Sequence, residues 1–185
     1  VLKFGGTSVA TTKLIESAAK IVKSEYDKKN NIIVVVSAMS GTTNNLIDHV
    51  NSIDFNDDSE YDLVVSSGEQ ITAGLMSLAL KKLNVPARSW LGWQIPIITR
   101  GQHRNAFIDK IVPDGIVNDF KEKKVAVVAG FQGISSEGRI TTIGRGGSDN
   151  TAVFLAAAVT AERCDIYTDV DGVYSSDPKM TDKVR

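Results

Sequence analysis

Short apolar, β-branched runs separated by amphipathic stretches constrain this chain more than any other feature. Ile32-Ile33-Val34-Val35-Val36, Val125-Ala126-Val127-Val128-Ala129 and Asp165-Ile166-Tyr167-Thr168 lack a regular polar alternation, so each reads as a strand covered on both faces. Between them the apolar period changes. Leu14, Ile15, Ala18, Ala19 and Val22, and again Leu75, Met76, Ala79 and Leu83, recur at helical spacing with lysines on the opposite faces. Doubly covered strands that alternate with helices imply a mostly parallel sheet, an α/β fold. In open sheets of this kind ligands collect beyond the carboxyl ends of the strands, so the residues after each strand come first in any search for function.

Composition narrows the classes. At 185 residues and 42% hydrophobic content the chain has material for one good core, and one domain is expected. A net charge of -1 with scattered lysines and arginines leaves no electrostatic footprint for a nucleic acid. The single cysteine, Cys164, falls in a run that reads as a buried strand, so an inert reduced thiol is expected and no disulfide can form within the chain. The apolar runs read as too short to cross a bilayer, and Val1-Leu2-Lys3-Phe4 lacks the basic and apolar regions of a secretory signal. A cytoplasmic protein with no membrane partner is the expectation.

Four strand-like runs end in glycine- and hydroxyl-rich entries to helices. The most informative is Gly144-Arg145-Gly146-Gly147-Ser148-Asp149, after the strand-like Arg139-Ile140-Thr141-Thr142-Ile143 and before the helical Thr151 to Ala158. Its glycines sit at a helix N-terminus, where unpaired N–H groups and the helix dipole favour anions. Lys3-Phe4-Gly5-Gly6-Thr7-Ser8 resembles a phosphate loop without the Walker spacing, so its lysine must reach phosphate from the strand; a glycine pair there also serves as a plain tight turn. Ser37-Ala38-Met39-Ser40-Gly41-Thr42-Thr43-Asn44 suits a ligand, or simple capping by Thr42 or Thr43. Leu63-Val64-Val65 reads as a third strand leading into Ser66-Ser67-Gly68-Glu69-Gln70, with Glu69 in a first helical turn where the dipole favours a carboxylate whatever its role.

A dinucleotide-binding fingerprint would need a third glycine where this chain has Asp149, whose charge would repel a pyrophosphate. The segment Thr168-Asp169-Val170-Asp171-Gly172-Val173-Tyr174-Ser175-Ser176-Asp177-Pro178-Lys179 reads as a hairpin-like loop. Its aspartates lack the EF-hand spacing, and no metal ligands are expected in the chain.

Taken in order, Lys3 to Ser8, Ser37 to Gly41 with Thr43-Asn44, Ser67-Gly68-Glu69, Gly130-Phe131-Gln132-Gly133, Gly144 to Asp149 and Thr168-Asp169 with Tyr174 closely resemble the aspartokinases of the amino acid kinase superfamily, along the whole chain. The resemblance implies a three-layer αβα sandwich with a mainly parallel central sheet, with residues 1–185 forming an incomplete catalytic domain. It also implies that the rest of the kinase domain and the ACT regulatory domains lie beyond Arg185. The implied chemistry is ATP-dependent phosphorylation, with Mg2+ bound through the nucleotide phosphates, of the β-carboxylate of L-aspartate. This is the entry step to lysine, methionine and threonine, and the implied full-length protein is a homo-oligomer.

The family pattern makes Lys3 and Asp149 catalytic. It gives Ser37, Thr43, Glu69, Arg145, Gly146, Gly147 and Ser148 to the amino acid, with Arg145 on the α-carboxylate and Glu69 on the α-ammonium. It gives Lys3, Phe4, Gly5, Gly6, Ser8, Thr168, Asp169, Tyr174, Ser175, Ser176, Asp177, Pro178 and Lys179 to the nucleotide, Gly5 and Gly6 through backbone amides. The family usually has arginine where this chain has Lys179, which removes a bidentate phosphate contact. Asp149 beside a phosphate is unfavourable unless it is tied to Lys3, so a salt bridge between them is expected. His103, in the polar loop Thr99 to Asn105, is assigned a loop role, since no step needs a proton shuttle; His49 reads as surface. The alternatives are acetylglutamate or gamma-glutamyl kinases, which share the fold, and a non-catalytic nucleotide- or amino-acid-sensing module.

Overall fold

A computed structural model describes residues 1–144 and 146–168. Its central sheet has five parallel strands in the order β3 (Ala87–Trp90), β6 (Val125–Ala129), β2 (Ile33–Val36), β1 (Leu2–Phe4) and β9 (Asp165–Tyr167). Alternate residues of each strand enter different cores. Val34, Val36, Val125, Val127 and Ala129 pack with Ile15, Ala18, Ala19 and Val22 of α1 (Thr12–Asp27) and Ala73, Met76, Ala79 and Leu80 of α4 (Ser67–Lys82). Ile33, Val35, Ala126 and Val128 pack with Ile116 of α5 (Asp114–Lys121) and Ala152 and Leu155 of α6 (Gly147–Ala158). The result is the expected αβα sandwich with its doubly buried central strands.

The helical periods hold with one exception, Leu14, which is 41% exposed. The start of α1 is set by Thr11, whose hydroxyl accepts the N–H of Leu14 at 3.2 Å and so satisfies one of the helix's orphan donors. Asp119 accepts the indole N–H of Trp90 at 2.7 Å, which fastens α5 to β3. β9 departs from the expected doubly buried strand: its residues are half-buried or exposed. Cys164, just before it, is half-buried, and burial pushes its thiol pKa up, the direction that disfavours a reactive thiolate.

Two features differ from the sequence reading. A second sheet, β5 (Phe107–Ile111), β4 (Ile97–Arg100), β7 (Gln132–Ile134) and β8 (Ile140–Thr142), pairs antiparallel at both ends and lends Ile97, Ile108 and Ile111 to the second core. Leu63-Val64-Val65 is not a strand but the end of a helix, α3 (Asp58–Val65). Its N-cap, Asp57, accepts the N–H groups of Ser59 and Glu60, and Asp58 and Glu60 in the first turn complement the dipole. Three apolar residues are too few to separate the two periods.

α3 passes through Ser66 almost directly into α4. The Ser66 carbonyl accepts a hydrogen bond from the buried Gln132 amide at 3.0 Å, the kind of side-chain insertion that turns a helix. Together Asp58–Lys82 are long and apolar enough to cross a membrane, which corrects the reading that no stretch reaches that length. Half of its most apolar window is buried within the domain, and it carries Glu69.

Candidate active site

The carboxyl ends of β1, β2 and β6 open onto a cavity of about 330 Å³ lined by residues from all four glycine-rich entries. Lys3, on β1, is 6% exposed in all, so only the end of its side chain reaches the cavity. Its Nζ lies 2.7 Å from Asp149 Oδ1. The expected ion pair is therefore present, between residues on β1 and in the first turn of α6.

Three helices begin at this cavity. α2 (Thr42–Asn51) and α6 each follow a glycine in the left-handed region, Gly41 at φ 83° and Gly146 at φ 71°, where a side chain would be strained. Gly41, not Thr42 or Thr43, is thus the N-cap of α2, and Thr43 lines the cavity instead. α4 contributes Glu69 from its first turn. The converging helix N-termini, with Lys3, make this end of the sheet a site for anions.

Glu69 is the exception and the most informative side chain. It is 4% exposed; its Oε1 accepts the N–H of Ala38 at 3.0 Å, and its Oε2 is buried without a hydrogen-bond partner. Burial pushes its pKa up to about 7, against the lowering effect of the Ala38 amide. A buried carboxylate at a cavity wall, with one oxygen not hydrogen-bonded by the protein, favours a cationic partner.

Of the expected substrate residues, Ser37, Thr43, Glu69, Gly146, Gly147 and Ser148 all line the cavity. Arg145 lies outside the described residues, as do Asp169, Tyr174, Ser175, Ser176, Asp177, Pro178 and Lys179. Of the expected nucleotide residues that are described, Lys3 and Gly6 line the cavity. Thr168 follows β9 directly. Phe4 and Gly5 do not line the cavity. Phe4 is a core residue, 1% exposed and stacked on Tyr167 with ring centroids 4.7 Å apart. The Gly5 N–H donates to Tyr167 O at 3.0 Å, because the parallel pairing of β1 with β9 continues one residue past Phe4, so this amide is spent on the sheet. Ser8 also turns toward β9, its hydroxyl 3.5 Å from Tyr167 O. The segment between Gly5 and α1 is a short 3-10 turn, Gly6–Val9.

Sequence reasoning passed over Phe131 as a cavity residue. It lines the cavity at φ 65°, an unusual conformation for a bulky residue and one that marks strain at a site. Its N–H donates to Thr151 Oγ1 of α6 at 3.2 Å while its carbonyl accepts from Ile143, just past β8, at 2.9 Å, so these two neighbours hold it there. The only advance signal was its place between two glycines. Gly130 lets Ser148 approach: a Cβ there would lie 2.8 Å from Ser148 Oγ and 3.1 Å from Ser148 Cα. Gly130→Ala is therefore expected to push the start of α6 out of the cavity and to cost about 1–3 kcal/mol of stability by overpacking, measured by urea unfolding.

The chain belongs to the amino acid kinase family, whose model matches residues 1–185. It is similar to an aspartate kinase of Pseudomonas putida, 50% identical over all of this chain and 45% of that protein. It is also similar to an aspartokinase of Rickettsia conorii, 45% identical over 97% of this chain and 46% of that protein. Among solved structures, E. coli aspartokinase III in complex with aspartate and ADP superposes with a TM-score of 0.81 at 28% identity, covering all of this chain and 52% of that one. The chain spans about half the length of the curated relatives it matches.

Proposed function

We propose that this chain is the greater part of the catalytic domain of an ATP-dependent aspartate kinase, which converts L-aspartate to 4-phospho-L-aspartate, the first step toward lysine, methionine and threonine. The observation that carries the reading is the pairing, within one cavity, of the Lys3–Asp149 ion pair with the half-satisfied Glu69. One suits an anionic phosphoryl group and the other an ammonium. Aspartokinase relatives at this level of identity support the choice of amino acid.

Aspartate would bind with its ammonium on Glu69 Oε2 and its α-carboxylate on Arg145 and the glycine turn, where arginine offers a bidentate fork. Its β-carboxylate, already ionised near pH 7 with a pKa near 4, needs no general base. One of its oxygens attacks the γ-phosphorus in line; the bond from that phosphorus to the β,γ-bridging oxygen breaks, and ADP leaves with the electron pair. The barrier is repulsion between two anions. Lys3 and the N-terminal ends of α2 and α6 oppose it by stabilising charge on the phosphoryl oxygens. Asp149 holds Lys3 extended along that path and does not itself approach phosphate.

Among the described residues no group of three or more His, Cys, Asp or Glu could hold a metal ion. Mg2+ would enter on the nucleotide phosphates, as oxygen-bound magnesium commonly does, and would supply charge neutralisation there. The nucleotide's remaining contacts fall to Thr168 and the segment that follows it. A cytoplasmic setting and a homo-oligomeric full-length protein complete the proposal.

A hydroxamate assay on the full-length protein tests the reading directly. Hydroxylamine traps an acyl phosphate, so aspartate with ATP should yield the hydroxamate, and glutamate or N-acetylglutamate should yield at least tenfold less, since a site built around one chain length loses reactive alignment when a methylene is added. Turnover of glutamate alone would overturn the proposal in favour of another amino acid kinase. Binding of both ligands without any turnover would favour a sensing module.

A further inference from the structure

Asp62 of α3 is completely buried, yet it does not line the cavity. Its carboxylate is fully engaged. Oδ1 accepts from the Thr142 hydroxyl of β8, Oδ2 lies 2.7 Å from His103 Nδ1, and the backbone N–H of Arg104 reaches both oxygens at 3.1 Å. With the ring proton on Nδ1, His103 donates to Asp62 Oδ2. Around this point the exposed side of α3 is fastened in the same sense. The Arg104 guanidinium pairs with Asp58 at 3.1 Å and lies 3.8 Å over the Tyr61 ring, and Arg139 reaches Ser59 and Glu60.

What Asp62 holds in place is the tip of the β4–β5 hairpin, and that tip backs the glycine turn. Asn105 packs directly on Gly144, where a Cβ would fall 2.1 Å from Asn105 Oδ1. The Ala106 N–H donates to Thr142 O at 3.0 Å, and Ala106 bridges to Ile143. In the other direction, α3 runs through Ser66 into the first turn of α4, which carries Glu69. Asp62 thus stands between the wall that presents Glu69 and the wall that ends in Gly144 to Gly147. An apolar residue could fill the space but would leave an N–H, a hydroxyl and an imidazole N–H without partners, so the carboxylate specifies registry rather than bulk.

We infer that Asp62, with His103, is a positioning residue that sets the separation between Glu69 and the glycine turn, and through it the affinity for the amino acid. This rests on the proposed function for the identity of that ligand. Lys3 lies on β1, and α6, which carries Asp149, is anchored by Ala152 and Leu155 in the second core, so the Lys3–Asp149 pair is left unchanged.

The full-length protein tests this with Asp62→Asn, His103→Gln, His103→Phe and Asn105→Ala. Asp62→Asn should raise the KM for aspartate by about tenfold or more, with kcat and the KM for ATP within about twofold. His103→Gln, which keeps a donor toward Asp62, should stay near wild type, while His103→Phe should behave like Asp62→Asn. Hydrogen exchange should lose protection by about tenfold at the Arg104 and Ala106 amides of Asp62→Asn, whose acceptors are Asp62 and Thr142, and keep it in β6. Equal changes in kcat and both KM values, or unchanged protection at those two amides, would overturn the inference. Should Asp62→Asn fail to fold, the exposed Asn105 decides, since an unchanged aspartate KM in a stably folded Asn105→Ala overturns it. If the wild type does not use aspartate, the proposed function falls, and the exchange measurement still judges the positioning role by itself.

Discussion

Lys3→Ala in the full-length protein should lower kcat for phosphoryl transfer by about a thousandfold or more, because a preorganised cation aimed at the transferring group is one of the largest single contributions in such a site. Aspartate binding, measured by calorimetry with a non-hydrolysable nucleotide present, should stay within about threefold, since Lys3 is not among the groups that hold the amino acid. Asp149→Asn should cost about a hundredfold in kcat: the lysine remains but loses the partner 2.7 Å away that fixes its rotamers. The two effects should not add, because Asp149 acts through Lys3, and the double variant should resemble Lys3→Ala alone. Full additivity would mean that Asp149 has a task of its own. Near-normal turnover in Lys3→Ala would remove Lys3 from the mechanism.

The second large effect concerns Glu69 and pH. Its pKa stands at about 7 in the empty protein against 4.5 for the ordinary side chain, so the folded state retains a proton that the unfolded chain releases. Below about pH 4.5 both states are protonated and the full contribution to stability is present. Between 4.5 and 7 the unfolded chain ionises first, stability falls, and above 7 the loss levels off at about 3 kcal/mol. Urea unfolding of the ligand-free protein across that window should show this decline, and Glu69→Gln should flatten it.

Under the proposed function aspartate should reverse the preference, because its ammonium would pair with the buried carboxylate. Binding should then release a proton near neutral pH, and the KM for aspartate should rise by up to about tenfold for each pH unit below 7. Glu69→Gln should raise that KM by about a hundredfold or more and abolish its pH dependence, since an ammonium buried without its counter-charge is heavily penalised. A KM that stays flat from pH 5.5 to 8 in the wild type would show that Glu69 does not meet the ammonium.

Much of this was legible in the chain because the relevant signals are local. The β2 and β6 runs announced doubly buried strands through β-branched residues without alternation, and α1 announced its inner face through Ile15, Ala18, Ala19 and Val22. The Lys3–Asp149 pair was legible for a different reason. An acidic residue in an anion site is tolerable only beside a cation, and the cation after the first strand was the candidate. Leu63-Val64-Val65 misled because three apolar residues carry no period, and the Asp57 that caps their helix stands apart from them in the sequence. The family pattern gives Phe4 and Gly5 to the nucleotide, while in the fold alternation turns the Phe4 side chain into the core and sheet pairing directs the Gly5 amide to Tyr167.

By itself the sequence determined the doubly buried central strands β2 and β6, the inner faces of α1 and α4, and the set of charged groups available to the site. These depend on residues a few positions apart, where sterics and periodicity act directly. Only the tertiary structure decided what those groups became. Glu69 is an ordinary helix-start carboxylate until Ala38 and the surrounding core strip away its water, leaving one oxygen unpaired and the pKa near 7. Nothing in the sequence singles out Asp62 until His103, Arg104 and Thr142 close around it, the last 80 residues away along the chain. Burial and long-range pairing change the free energy of a charge far more than its sequence neighbours do, and both arise only when distant segments pack together.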